Sequence, residues 1–288
     1  MEKHQSASFS QANIDALVDA ELRHAQARFQ ASKSPRAILL AGQPGAGKTV
    51  LSTMFIDSFG GNAAFVNADD YRRYHPNYRK LYSQYGSDSV QMTAEFSSVV
   101  TNRLIDSFSD SLLNMVIEGT GRTATVPLKT AELLSAKGYS VEIAVIATRP
   151  EMSLASTLVR FNQMNERGTI PRATAIEAHD ITVSALPNNL DILADAPNIS
   201  RITIWNRDQQ LVYDSSQNAE YPSDALMDYW TQPWDSSELD YIKEQIEFLW
   251  EQEATNNLNQ ANTIRELERR VELIEDDITS QQNEMKMF

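Results

Sequence analysis

Residues 38–49 read Ile-Leu-Leu-Ala-Gly-Gln-Pro-Gly-Ala-Gly-Lys-Thr. A short apolar run enters G-x-x-x-x-G-K-T, with Gly42, Gly47, Lys48 and Thr49 at the fixed places. The residues on either side suit that pattern: 37–41 are all apolar, as a buried strand requires, and 50–55 continue as a helix. Glycines let successive backbone N–H groups turn toward phosphate oxygens without a Cβ in the way. The expected nucleotide-binding set is therefore Gly42, Gln43, Pro44, Gly45, Ala46, Gly47, Lys48 and Thr49. Lys48 supplies a positive charge for the β- and γ-phosphates, the Thr49 hydroxyl is placed to ligate Mg²⁺, and the helix that follows adds its positive end.

Further out, the chain alternates strand and helix. Strands are expected at 63–67, at 114–117 closing on Glu118, and at 140–148; helices at 9–33 with Ser10 as cap, 89–109, 126–137 with Pro127 in the first turn, 152–165 and 172–185. A late hairpin is expected from 202–206 and 210–213 around Arg207-Asp208. This alternation predicts an α/β fold with an open, mainly parallel sheet flanked by helices. Ligands of such sheets sit at the carboxyl ends of the strands.

Composition narrows the function classes. The chain has 288 residues, 42% of them hydrophobic, enough for one substantial core with an appendage. With no cysteine, a disulfide framework, a thiolate zinc site and a cysteine nucleophile are excluded, and with 4 histidines a metallohydrolase centre is disfavoured. Residues 1–6 lack the apolar core of a signal peptide, and no run reaches the roughly 18 apolar residues of a membrane span, so a soluble cytoplasmic protein is expected. The net charge of −14 is unevenly spread: 17 acidic and 5 basic residues lie between Glu220 and Phe288, against 22 and 20 before them. Neither part carries the basic surface of a nucleic-acid binder.

Phosphoryl transfer needs a cradle, a metal, positive charge at the transferring group and a residue to orient or deprotonate the acceptor. Each has a candidate at a strand end. Asp69-Asp70 follow the second strand, and Glu118-Gly119-Thr120-Gly121-Arg122-Thr123 follow the third. Arg160 and Arg172 lie on or near the helices after the fourth, where a lid belongs. Other readings stand beside these. Asp69-Asp70 can cap a helix, Glu118 can be a solvated strand end, the two arginines can make surface ion pairs, and His75 and His179 are more often structural hydrogen-bonders than catalysts.

Several motifs in one order make the pattern specific: 42–49, Asn67-Ala68-Asp69-Asp70-Tyr71 with His75-Pro76-Asn77-Tyr78, 116–123, Ala136-Lys137-Gly138-Tyr139, and Arg172-Ala173-Thr174 leading into Ala178-His179-Asp180. Over about residues 36–215 the chain resembles the zeta-toxin family, P-loop kinases of bacterial toxin–antitoxin systems that phosphorylate UDP-N-acetylglucosamine. The resemblance implies a P-loop kinase domain at 36–219, with ATP and Mg²⁺ as cofactors and Lys48 and Thr49 in their motif roles. It further implies Asp69 as the base for the sugar 3′-hydroxyl, Glu118, Thr120 and Arg122 as substrate contacts, and Arg160 and Arg172 neutralising the transferred group. The stretch from Arg103 to Glu118 is longer than the family pattern, so no substrate contact is assigned around 95–102. Against this stand two alternatives: a P-loop kinase of another small hydroxyl compound, and a nucleotide-dependent switch that assembles through its tail.

Residues 1–35 form an N-terminal helix and 220–288 an all-helical acidic extension. In the extension Leu239, Ile242, Ile246 and Leu249, then Ile264, Leu267, Val271, Ile274 and Ile278, recur every three or four residues, interrupted at Asn256-Asn257 and continued by Met285. Such a coiled-coil-like stripe can pack on the chain's own body or on a second copy. Family members have a small helical antitoxin partner. The extension is accordingly also a candidate built-in inhibitor, its carboxylates facing Lys48, Arg160 and Arg172, beside or in place of a separate antitoxin.

Overall fold

The computed structural model describes residues 8–167 and 173–286. Six strands form one sheet: β1 (Arg36–Ala41), β2 (Ala64–Asn67), β3 (Met115–Glu118), β4 (Ser140–Ile146), β5 (Arg201–Trp205) and β6 (Leu211–Asp214), in the order β2-β3-β1-β4-β5-β6. β1 to β5 run parallel, and β6 pairs antiparallel with β5. The sheet is thus open and mainly parallel, as the alternation predicts.

Helices cover both faces. α1 (Gln11–Arg28), α2 (Lys48–Ser58), α3 (Ala68–Tyr71), α4 (Tyr78–Tyr85), α5 (Ser89–Met92), α6 (Ala94–Asp110), α7 (Thr125–Ala136), α8 (Pro150–Glu166) and α9 (Ile176–Ala194) accompany the strands. α10 (Pro222–Thr231), α11 (Ser236–Asn256) and α12 (Ala261–Lys286) follow the sheet. Side chains alternate across β1. Ala37 and Leu39 enter the core shared with Val100, Leu104 and Leu186; Ile38 and Leu40 enter a second core with Leu51, Val116 and Ile146. No helix among the described residues is long and apolar enough to cross a membrane.

Several element bounds differ from those expected. The first helix ends at Arg28 rather than near residue 33, because distant partners draw the chain out of helical form: Gln30 N–H donates to Asn62 Oδ1 and Ser32 N–H to the Leu112 carbonyl. The helix expected at 89–109 is two helices, α5 and α6, meeting at Thr93. α9 runs through Pro187 to Ala194, well past the expected end, and its far half is held by the burial of Leu186, Leu190 and Leu193. Packing outweighs the helix-breaking tendency of one proline there.

The extension divides differently from a cut at residue 220. Leu226 and Trp230 of α10 lie in the main core, so α10 belongs to the body. α11 and α12 form a helical hairpin, α11 closing on Asn257 in left-handed conformation at φ +48°. The stripe residues Ile242, Ile246, Leu249, Ile264, Leu267 and Val271 are buried together with Leu154, Ala155 and Leu158 of α8. The apolar repeat therefore packs on this chain's own α8. The side chain of Met285 lies outside the described residues.

Candidate active site

Register brings the candidate residues to one edge. Leu40 pairs with Glu118, and Glu118 with Asn67, so β1, β3 and β2 end level with one another. Just beyond those ends lie the glycine-rich loop of residues 42–47, residues 119–122 after Glu118, and Asp69 in α3. β1 lies between β3 and β4, where the strand order reverses and open α/β sheets hold their ligands.

The cradle spans the gap between β1 and α2. Gly45 has φ +77°, and a Cβ there would meet the Ser153 carbonyl oxygen at 2.0 Å, so α8 packs where only glycine fits. Lys48 is 9% exposed and its Nζ donates to the Gly42 and Gln43 carbonyls at 2.7 and 3.1 Å. Burial lowers its pKa to about 8, with Glu118 and Asp69 opposing and Arg160 assisting. Burial likewise raises Glu118, moderated by Lys48 and Arg160 and reinforced by Asp69 and Asp70. The fold thus brings Lys48, Asp69, Glu118 and Arg160 into one electrostatic neighbourhood. Thr49 lies exposed in the first turn of α2 and Arg160 exposed on α8. Arg172 lies outside the described residues.

The other strand ends are tied to the cradle. Gly42 N–H donates to the Thr120 carbonyl at 3.3 Å, and Gly119 N–H to Leu40 at 2.9 Å. Gly121 has φ +73°, and a side chain there would strike Leu186 at 2.5 Å. Thr120 and Arg122 are exposed, with Arg122 N–H 3.4 Å from Thr120 Oγ1. Asn67 caps α3 by accepting from Asp69 N–H at 3.0 Å, so the capping role falls to Asn67 rather than to the Asp69 carboxylate. His75 is buried among Phe9 and Phe96, a structural placement.

Several residues that position the site went unassigned in the sequence. Arg72 Nε donates to Asp69 Oδ1 at 2.7 Å, while its Nη1 holds the Val90 carbonyl at 2.6 Å. The i, i+3 spacing of Asp69 and Arg72 is the local signal of this pair. Arg207 donates from Nη2 to the Gly45 carbonyl at 2.6 Å and to Ser156, and from Nε to the Ala46 carbonyl and Thr148. It pins the outside of the cradle to α8 from the β5–β6 turn, and burial lowers its pKa. No local pattern joins residue 207 to residue 45. Asn189 donates to the Gly121 carbonyl at 2.9 Å, again across distant sequence.

A glycine-rich loop at the head of a helix beside a buried lysine, with a carboxylate and an arginine near its charge, can bind a polyphosphate and move a phosphoryl group to an acceptor held opposite. A family model described as Zeta toxin matches residues 19–218. Toxin PezT of Streptococcus pneumoniae serotype 4 is 38% identical over 239 residues, spanning 80% of this chain and 94% of that protein. Toxin zeta of Enterococcus hirae is also 38% identical, over 187 residues and 65% of each chain. A solved structure from the PezAT chromosomal toxin–antitoxin system of Streptococcus pneumoniae superposes with a TM-score of 0.78 at 35% identity, covering 85% of this chain and 99% of that one.

Proposed function

Since the chain belongs to the zeta-toxin family and has its kinase-like fold, we propose that it is an ATP- and Mg²⁺-dependent kinase of the amino-sugar 3′-hydroxyl of UDP-N-acetylglucosamine, a toxin that blocks peptidoglycan synthesis. The observation that carries the proposal is the convergence of Lys48, Asp69, Glu118 and Arg160 at the carboxyl edge of the sheet. The backbone amides of Gly45, Gly47 and Lys48, with the Lys48 ammonium, hold the β- and γ-phosphates. The sugar oxygen attacks the γ-phosphorus; its new O–P bond forms as the β–γ bridging bond breaks, ADP leaves, and the hydroxyl proton passes to Asp69, which Arg72 orients. Glu118, Thr120 and Arg122 contact the sugar nucleotide, and Arg160 and Arg172 offset charge on the transferred group.

The oxygen donors present suit Mg²⁺. Thr49 offers an exposed hydroxyl at the head of α2, and no cluster of three or more acidic or histidine ligands exists among the described residues. An ion held by one hydroxyl, phosphate oxygens and water is the habit of Mg²⁺. When bound, it neutralises charge on the β- and γ-phosphates.

Incubation with ATP, Mg²⁺ and UDP-N-acetylglucosamine tests the proposal by mass: the sugar nucleotide gains one phosphate. No gain on this acceptor, or gain only on another hydroxyl compound, overturns it. Asp69→Asn abolishes turnover and leaves ATP binding nearly intact, since the base acts on the acceptor. Similarity to PezT, characterised within a toxin–antitoxin system, supports a separate antitoxin as partner.

A further inference from the structure

A chain of side chains leads from the cradle to the C-terminal helix. Gln43, the second residue of the cradle, is fully buried. Its Nε2 donates one proton to the Thr148 carbonyl at 2.6 Å and the other to Ser153 Oγ at 3.2 Å. Ser153 Oγ lies 2.8 Å from His179 Nε2, and His179 Nδ1 lies 3.0 Å from Asp180 Oδ1. Asp180 is gripped by both Nη atoms of Arg270, at 3.0 and 2.6 Å, and Arg270 Nε is held by Glu266 at 2.9 Å. Ser153 and His179, like Gln43, are fully buried.

The protons fit one direction of travel. The Asp180 carboxylate only accepts, so the His179 ring directs its Nδ1 proton to it, and burial disfavours a second proton on Nε2. Its Nε2 then accepts from the Ser153 hydroxyl, whose oxygen accepts from Gln43. That hydroxyl also lies 2.8 Å from the Pro150 carbonyl. It has one proton, so loss of the properly oriented imidazole turns it back toward Pro150. Gln43 Oε1 is buried with no partner, and the side chain depends on its two Nε2 bonds for its position. A buried polar network of this kind holds firmly only while every member is in place.

We propose that Ser153, His179, Asp180 and Arg270 are positioning residues of the phosphate cradle, acting through Gln43 so that the C-terminal helix is a working part of the nucleotide site. The proposal rests on the assignment of residues 42–49 to ATP. It gives α12 a role that charge and periodicity do not reveal: the arginine at its middle steadies the loop that grips phosphates. Among the charges that act on Lys48, namely Glu118, Arg160 and Asp69, all come from the body.

Calorimetric titration of the full chain with ATP and Mg²⁺, alongside steady-state turnover, tests it. Arg270→Ala and Asp180→Asn raise the Kd and KM for ATP about fivefold or more, a typical coupling between sites, with kcat nearly unchanged. Arg270→Lys recovers part of the loss. Lys243→Ala, which removes a surface pair with Glu275 of the same C-terminal helix outside this chain of contacts, serves as control and binds as the parent does. In a double-mutant cycle, Arg270→Ala adds nothing once Ser153→Ala has cut the chain beside Gln43. Unchanged ATP affinity in folded Arg270→Ala and Asp180→Asn, or additive losses in the cycle, overturn the proposal. Failure of the parent to bind ATP in a Lys48-dependent manner instead overturns the nucleotide site itself, a separate result.

Discussion

At the scale of single residues, a short-range contact sets the proposed acceptor half of the site. Arg72 spans Asp69 and the Val90 carbonyl, so it fixes the carboxylate proposed to receive the hydroxyl proton without touching the cradle. Arg72→Ala is expected to lower kcat by about 10²-fold, the effect of misplacing a reacting group by an ångström, while the KM for ATP stays nearly constant. Steady-state kinetics separates the two; a rise in ATP KM alone would assign Arg72 to the donor half. The residues proposed for the chemistry were legible from the motifs. Their positioners were legible only where they lie close in sequence, as Arg72 does; Arg207 and Arg270 act across long stretches of chain that no periodicity links.

At the scale of elements, the β5–β6 hairpin delivers Arg207 to the cradle, and Asp214 anchors that hairpin. Asp214 is 1% exposed and accepts from Arg201 Nε and Nη2 at 2.9 and 2.5 Å and from Ser216 N–H at 3.0 Å. These bonds, the Arg201 pair foremost, hold its carboxyl well below the ordinary carboxylate range. The native state therefore binds fewer protons than the unfolded chain around the unfolded carboxylate pKa of about 3.9. The stability Asp214 confers is complete above that pKa and is lost as pH falls toward its native pKa. Asp214→Asn is expected to cost about 1–3 kcal/mol at neutral pH, because Arg201 is partly exposed and solvent screens the pair. Its stability should also fall less steeply in acid than the parent's, by urea unfolding at a series of pH values. A parallel pH profile for parent and variant would exclude this role. Most element types were readable from apolar runs and punctuation, though the short helices α3 and α4 between β2 and α5 were not expected. The ends of the elements were not readable, since the stop of α1 depends on Asn62 and Leu112, and the persistence of α9 through Pro187 depends on the core beneath it.

At the scale of the whole molecule, the α11–α12 hairpin covers α8, the helix that carries Ser153 against the cradle and Arg160 toward it. Leu267 is fully buried in the cluster with Leu154 and Leu158. Leu267→Ala should destabilise that docking by about 2–5 kcal/mol, the usual cost of a large-to-small core change. A tail that blocked the site would give higher turnover when loosened in this way. A tail that braces α8 gives lower turnover together with a lower melting temperature, and this is the outcome expected. Rate and thermal unfolding on the same variant decide between them. The stripe was visible as a heptad-like repeat, yet its partner was not, because an apolar face records that it will be buried and not against what.

The sequence by itself determined the phosphate cradle, the parallel α/β class and the carboxylates at the strand ends, since these depend on local backbone geometry and on spacing along one segment. Only the tertiary structure decided that Arg207 pins the cradle from outside, that the acidic tail seats on α8 within its own chain, and that Arg270 reaches Gln43 through Asp180, His179 and Ser153. Those contacts join residues up to 162 positions apart. Their existence depends on how strands and helices stack in space, which no local pattern encodes.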